Sequence, residues 1–300
     1  MPVPPLSLPL PVVSRAVGAI FRFALSPHLP TAVHRRVLEV LAAGLPLPDG
    51  TVARTGRLGG VPVEYVTVGA TTRPTTVVYL HGGAYVTGSP RTHRALTATL
   101  AQDSGARVVA VDYRLAPEHP HPAALDDALA VVDALLAEGS TPSSLAVAGD
   151  SAGGGLAAAL TGALVDRGVR PACLALISPW TDPADRDFPA DRDLLLDRGW
   201  LERSAADYRG HHDDADPGYA PAHRSPVDFP PTLVHVGTAE ILHPQVLRYV
   251  EALRAADVPT TLTEYPDLWH VAHLQATLTE PAREAVRELG DFVREHLART

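Results

Sequence analysis

Short apolar runs alternate with longer amphipathic stretches along most of this chain. Val61–Val68, Thr76–Leu80, Arg107–Val111, Leu145–Ala148, Cys173–Ile177, Thr232–Val236 and Thr260–Tyr265 have the length and side chains of strands. Most are unbroken by polar residues, which predicts burial on both faces, as in a parallel sheet. Between them Thr92–Asp103, Pro122–Glu138, Leu156–Arg167, Pro244–Ala256 and Pro281–Leu297 read as helices. Strand–helix alternation of this kind predicts one α/β domain, with helices flanking a mostly parallel central sheet.

Two segments fall outside this rhythm. Residues 14–43 mix apolar positions with Arg and His at helical spacing, and Pro46 and Pro48 close them. Residues 180–231 are rich in proline and aspartate, with weak helical periodicity only around Leu194–Tyr208. That is too long for an ordinary connection, so the segment is expected to be a disordered insert or a lid. A lid would pair naturally with the N-terminal helical region.

Composition narrows the class. Across 300 residues, 46% are hydrophobic and 20% charged, which excludes disorder, collagen and coiled coil. A net charge of −9 argues against nucleic acid or an anionic membrane as partner. Every basic residue apart from histidine is arginine, a compositional bias. Cys173 stands alone in an apolar run, so no internal disulfide or multi-cysteine zinc site is expected. Met1 to Pro11 is proline-rich without an early positive charge, and Arg15 and Arg22 break the apolar stretch after it. No secretory signal or membrane span is expected, and a cytoplasmic location is.

The candidate chemistry centres on Gly149-Asp150-Ser151-Ala152-Gly153, a G-x-S-x-G pattern between the Leu145–Ala148 strand and an alanine-rich helix. Small neighbours let such a strand–serine–helix turn fold tightly and raise the hydroxyl above the sheet. A serine hydroxyl is a poor nucleophile until a base takes its proton and a carboxylate orients that base. His270 lies just beyond the last expected strand, where a loop at a strand's C-terminal end reaches the elbow. His235, inside a strand, reads as a packed core residue. His211 and His212 beside Asp213 and Asp214 suggest a metal, but read better as solvated loop residues. For the acid, Glu240 follows the Thr232–Val236 strand, while Asp267 is a rival three residues before His270. In His81-Gly82-Gly83-Ala84 a strand runs into glycines whose backbone amides can face a developing oxyanion. A phosphate loop would need a different spacing.

His81-Gly82-Gly83-Ala84, Tyr113-Arg114-Leu115-Ala116-Pro117-Glu118, Gly149-Asp150-Ser151-Ala152-Gly153-Gly154 and the run from Gly237 through Glu240 and Leu242 to His270 together resemble the hormone-sensitive-lipase family of α/β-hydrolase esterases. The resemblance runs from about residue 55 to the end of the chain. It implies the α/β-hydrolase fold, with Ser151 as nucleophile, His270 as base and Glu240 as orienting acid. It implies oxyanion donors among the amides of Gly82, Gly83, Ala84 and Ala152. It further implies a helical cap from residues 1–45 and 180–225 over a catalytic core of 46–179 and 226–300. Arg114 and Glu118 would brace the structure without a catalytic part. Ala84 stands where the family usually has a third glycine; its methyl group enters the acyl site and disfavours bulky acyl or tertiary-alcohol esters. The expected activity is hydrolysis of small to medium uncharged carboxylic esters through an acyl-enzyme, with no cofactor. Acyl transfer, lactone chemistry or cyclisation by the same triad is the alternative reading. A non-catalytic ligand-binding protein is a more distant one, because His270 is present. The expected partner is a small-molecule ester, and homodimers are common in such families.

Overall fold

The computed structural model describes residues 7–26, 29–69 and 75–297. Residues 1–6 and 27–28 of the expected cap segment lie outside the described residues.

Eight strands form one sheet: β1 Thr51–Leu58, β2 Val61–Val68, β3 Thr76–Leu80, β4 Arg107–Val111, β5 Leu145–Asp150, β6 Cys173–Ile177, β7 Thr232–Gly237 and β8 Thr260–Tyr265. Their order is β1-β2-β4-β3-β5-β6-β7-β8. β2 pairs antiparallel with β1 and β4, and every later pairing is parallel. The helices are α1 Leu10–Ala24, α2 Thr31–Ala42, α3 Arg94–Ser104, α4 Ala123–Ala137, α5 Ser151–Asp166, α6 Arg198–Arg209, α7 His243–Ala255 and α8 Glu280–Leu297.

The unbroken apolar strands have their expected cause. On β3, Val78 and Leu80 belong to the buried cluster that includes α4, α5 and α7, while Val77 and Tyr79 belong to a second cluster with α3 and α8 on the opposite face. Helices cover both faces, so neither side of the inner strands meets water. Cys173 is wholly buried in the second of these layers, and burial pushes its thiol up. No described helix is long and apolar enough to cross a membrane.

Three elements differ from the pattern-based expectation. β1 is an additional strand whose side chains, arginines among them, are mostly exposed, so it lacks an apolar run. The single helical stretch expected over 14–43 is two helices, the second entered through Pro30. α5 starts at Ser151, earlier than the expected start at Leu156.

Candidate active site

The parallel strands β5, β7 and β8 deliver three loops to one edge of the sheet. β5 ends at Asp150, and Ser151, the first residue of α5, takes φ 51°. A left-handed backbone is costly for any residue other than glycine and persists only where the surroundings enforce it. Here the enforcement is close packing. A Cβ on Gly149 would lie 2.3 Å from the Gly153 carbonyl oxygen, and one on Gly153 would lie 2.1 Å from that of Leu80. No other residue fits either position.

His270, on the loop after β8, places its Nε2 2.9 Å from the Ser151 hydroxyl. Its Nδ1–H donates to Glu240 Oε2 at 2.6 Å. Asp267, the rival acid, is exposed to solvent, while Glu240 is buried on the loop after β7. The other carboxylate oxygen of Glu240 accepts the Gly237 amide at 2.5 Å and the Ser178 hydroxyl at 2.8 Å. Ser178 follows β6 and is a residue that sequence reasoning missed. Burial alone would lower the pKa of His270, but the Glu240 carboxylate, joined by the charges of Asp193 and Asp150, more than offsets it and the net direction is upward.

The loop after β3 is held from below. Asp150 Oδ1 accepts the Tyr79 hydroxyl at 2.7 Å and the Gly82 amide at 3.0 Å, and Oδ2 lies 3.3 Å from His93 Nε2. Burial opposes charge on both groups, yet each holds the other ionised: Asp150 is shifted down and His93 up. The Gly82 amide is therefore committed to Asp150, which corrects the expectation that it donates to an oxyanion. The amides of Gly83 and Ala84 donate to no described group, and Ala152 lies in the first turn of α5, where amides lack helical partners. Tyr113 stacks on the His81 ring and donates to the His81 carbonyl at 2.6 Å. Arg114 pairs with Asp127 and Glu118 with Arg35 of α2, so both charged residues of that segment are engaged away from the serine.

Above these groups lies a cavity of about 300 Å³. Ser151 and His270 line it, and Val17 and Phe21 of α1, Leu38 of α2, Leu196 and Trp200 supply apolar walls. Asp193 ties that wall to the acid loop, accepting the Leu195 and Leu196 amides at 2.8 and 2.7 Å and the Ile241 amide at 3.0 Å. Burial raises its pKa, opposed by His270 nearby. Nothing in the sequence marks Asp193 among its aspartate-rich neighbours. His235 lies apart, wholly buried against His273 and pushed down to about 3 by burial.

A base must be neutral to accept a proton, so kcat/KM falls as pH drops through the His270 pKa. The acid limb is expected above the ordinary imidazole value of about 6.5. Asp193→Asn removes a negative charge that favours the imidazolium and should move the limb to lower pH. A purely structural Asp193 would lower kcat/KM at every pH and leave the limb where it was.

Comparison with known proteins places the chain in a family. A family model described as the alpha/beta hydrolase fold matches residues 77–274. An acetyl-hydrolase of Streptomyces hygroscopicus is 40% identical over 80% of this chain and 85% of its own length. An ethyl acetate hydrolase of Pseudomonas putida is 34% identical over 74% of this chain and 73% of its own. The crystal structure of an esterase from the bacterial hormone-sensitive lipase family superposes with a TM-score of 0.89 at 33% identity, covering 95% of this chain and 98% of that one. A family match over more than half the chain, joined to relatives alike in both sequence and structure, means that the chain belongs to the α/β-hydrolase-fold family, within its hormone-sensitive-lipase branch.

Proposed function

We propose that the protein is a serine carboxylesterase acting on small to medium uncharged esters, with Ser151, His270 and Glu240 as its triad. The observation that carries this reading is the unbroken chain from the Ser151 hydroxyl through His270 to Glu240, buried beside an apolar cavity. His270 Nε2 takes the hydroxyl proton as Ser151 attacks the ester carbonyl, and Glu240 fixes the tautomer and stabilises the imidazolium. Charge developing on the carbonyl oxygen is met by the amides of Gly83, Ala84 and Ala152. His270 then protonates the departing alcohol, and water releases the acyl group by the same route. No step needs a cofactor.

Residues 1–45 and 180–225 act as a cap in this reading, supported by the cavity walls that α1, α2, Leu196 and Trp200 supply. The names of two relatives point to acetyl esters as the starting substrates. The apolar walls extend the range to medium acyl chains, because each buried methylene contributes about 0.8 kcal/mol.

A series of p-nitrophenyl esters tests this. With the parent protein, kcat/KM should rise beyond acetate and fall once the acyl chain outgrows the cavity. Val17→Phe narrows the α1 wall and should cost longer esters at least about tenfold more than acetate. An unchanged chain-length profile in a folded Val17→Phe protein would remove α1 from the acyl site. Adding a short alcohol to the same assay separates hydrolysis from acyl transfer.

A further inference from the structure

The histidine–aspartate run at 211–214 is divided by the fold. All four residues are exposed, but His212 alone faces two residues that are not its neighbours in that run, His121 and Asp216. His212 Nδ1 lies 3.7 Å from Asp216 Oδ2, and the same oxygen lies 3.3 Å from His121 Nε2. The three donor atoms lie within 4.8 Å of one another. The two imidazole rings cross at 84° with centroids 4.7 Å apart, so they converge on Asp216 from different directions.

A tetrahedral ion with bonds of about 2.0–2.1 Å holds neighbouring ligand atoms about 3.3 Å apart. The two edges through Asp216 are near that value already. The edge between the imidazoles closes by turning His212, whose side chain is 41% exposed. The other two ligands are fixed. The His121 side chain is 3% exposed, and its backbone amide donates to the Tyr208 carbonyl at 2.7 Å. Asp216 commits Oδ1 to the Gly218 amide at 2.8 Å, leaving Oδ2 toward the imidazoles. A carboxylate held from behind in this way keeps its aim on an ion.

We propose that His121, His212 and Asp216 form a binding site for a borderline divalent cation, zinc foremost, with water completing the shell. Two imidazoles and one carboxylate suit zinc, cobalt and nickel, whereas magnesium and calcium prefer an all-oxygen set. The ion's part is structural, since it takes no role at Ser151. It joins the turn carrying His212 and Asp216 to the segment after β4 that carries His121. Next to that joint, Tyr208 of α6, whose carbonyl accepts the His121 amide, stacks on Tyr85 of the loop after β3 with centroids 3.6 Å apart, one residue beyond Ala84. The cation would therefore clamp the 180–225 segment onto the core beside the oxyanion loop.

The untagged full chain, stripped with EDTA and transferred to chelator-free buffer, is titrated with zinc chloride and, in parallel, with cobalt(II) chloride. One ion should bind per chain, cobalt should give the visible bands of a tetrahedral nitrogen–oxygen site, and zinc should raise Tm. His212→Ala and Asp216→Asn should each weaken binding by at least about tenfold and abolish the rise in Tm. His211→Ala should behave like the parent, and magnesium should leave Tm unchanged. Because His212 is partly exposed, its removal spares the fold, and circular dichroism checks this. The site is refuted by no saturable one-to-one binding, by affinity equal to the parent's in both ligand variants, or by an equal loss in His211→Ala.

Discussion

Ser151→Ala is expected to bring p-nitrophenyl acetate hydrolysis down to the uncatalysed background of the assay. Loss of a triad serine elsewhere costs about 10⁶ in kcat, because the acyl-enzyme route closes altogether. The fold should survive. The side chain is small, alanine occupies the same left-handed backbone at little added cost, and the turn is enforced by Gly149 and Gly153 rather than by the hydroxyl. An organophosphonate should add once to each parent chain, at Ser151, and not at all to the variant. An adduct on another serine, or hydrolysis surviving in the variant, would move the nucleophile elsewhere.

Glu240→Gln should lower kcat by about 10⁴, equivalent to about 5 kcal/mol of barrier, with thermal stability nearly unchanged. The reason lies in what holds each oxygen. Oε1 accepts the Gly237 amide and the Ser178 hydroxyl, so a glutamine keeps its carbonyl oxygen there and turns its NH₂ toward His270. His270 Nδ1 must then accept rather than donate, which places the ring proton on Nε2, facing Ser151. That tautomer cannot take the serine proton. Asp267→Asn, at an exposed position, should cost at most about tenfold. The reverse ranking would transfer the acid role to Asp267.

Much of this site is legible in the sequence because its constraints are local. Gly149 and Gly153 flank Ser151 for a steric reason that a single pentapeptide carries, and the glycines after β3 announce a bare backbone. Glu240 and His270 could be placed because each follows a strand of recognisable length, and parallel strands end on the same edge. The features that escape the sequence depend on contacts between distant segments. The Gly82 amide is spent on Asp150 rather than an oxyanion, which no spacing reveals. Ser178 and Asp193 act by meeting the Glu240 loop from other parts of the chain. β1 escapes because a mostly exposed strand buries little and so carries no apolar run. His212 gains its meaning only from His121, which the sequence leaves far away.

The spread of the triad along the chain also fixes when the site can exist. Ser151 and His270 are 119 residues apart, and Glu240 and His270 are 30 apart. β5, which carries the serine, is an inner strand made in the first half of the chain, while β8, which leads to the histidine, is the last strand made and an outer one. During N-to-C synthesis the elbow and its amides therefore emerge well before His270 does. In the proposed mechanism, Ser151 lacks its proton acceptor until β8 docks beside β7. On that mechanism, esterase activity reports completion of the sheet, and an unfinished chain is expected to be inert toward esters.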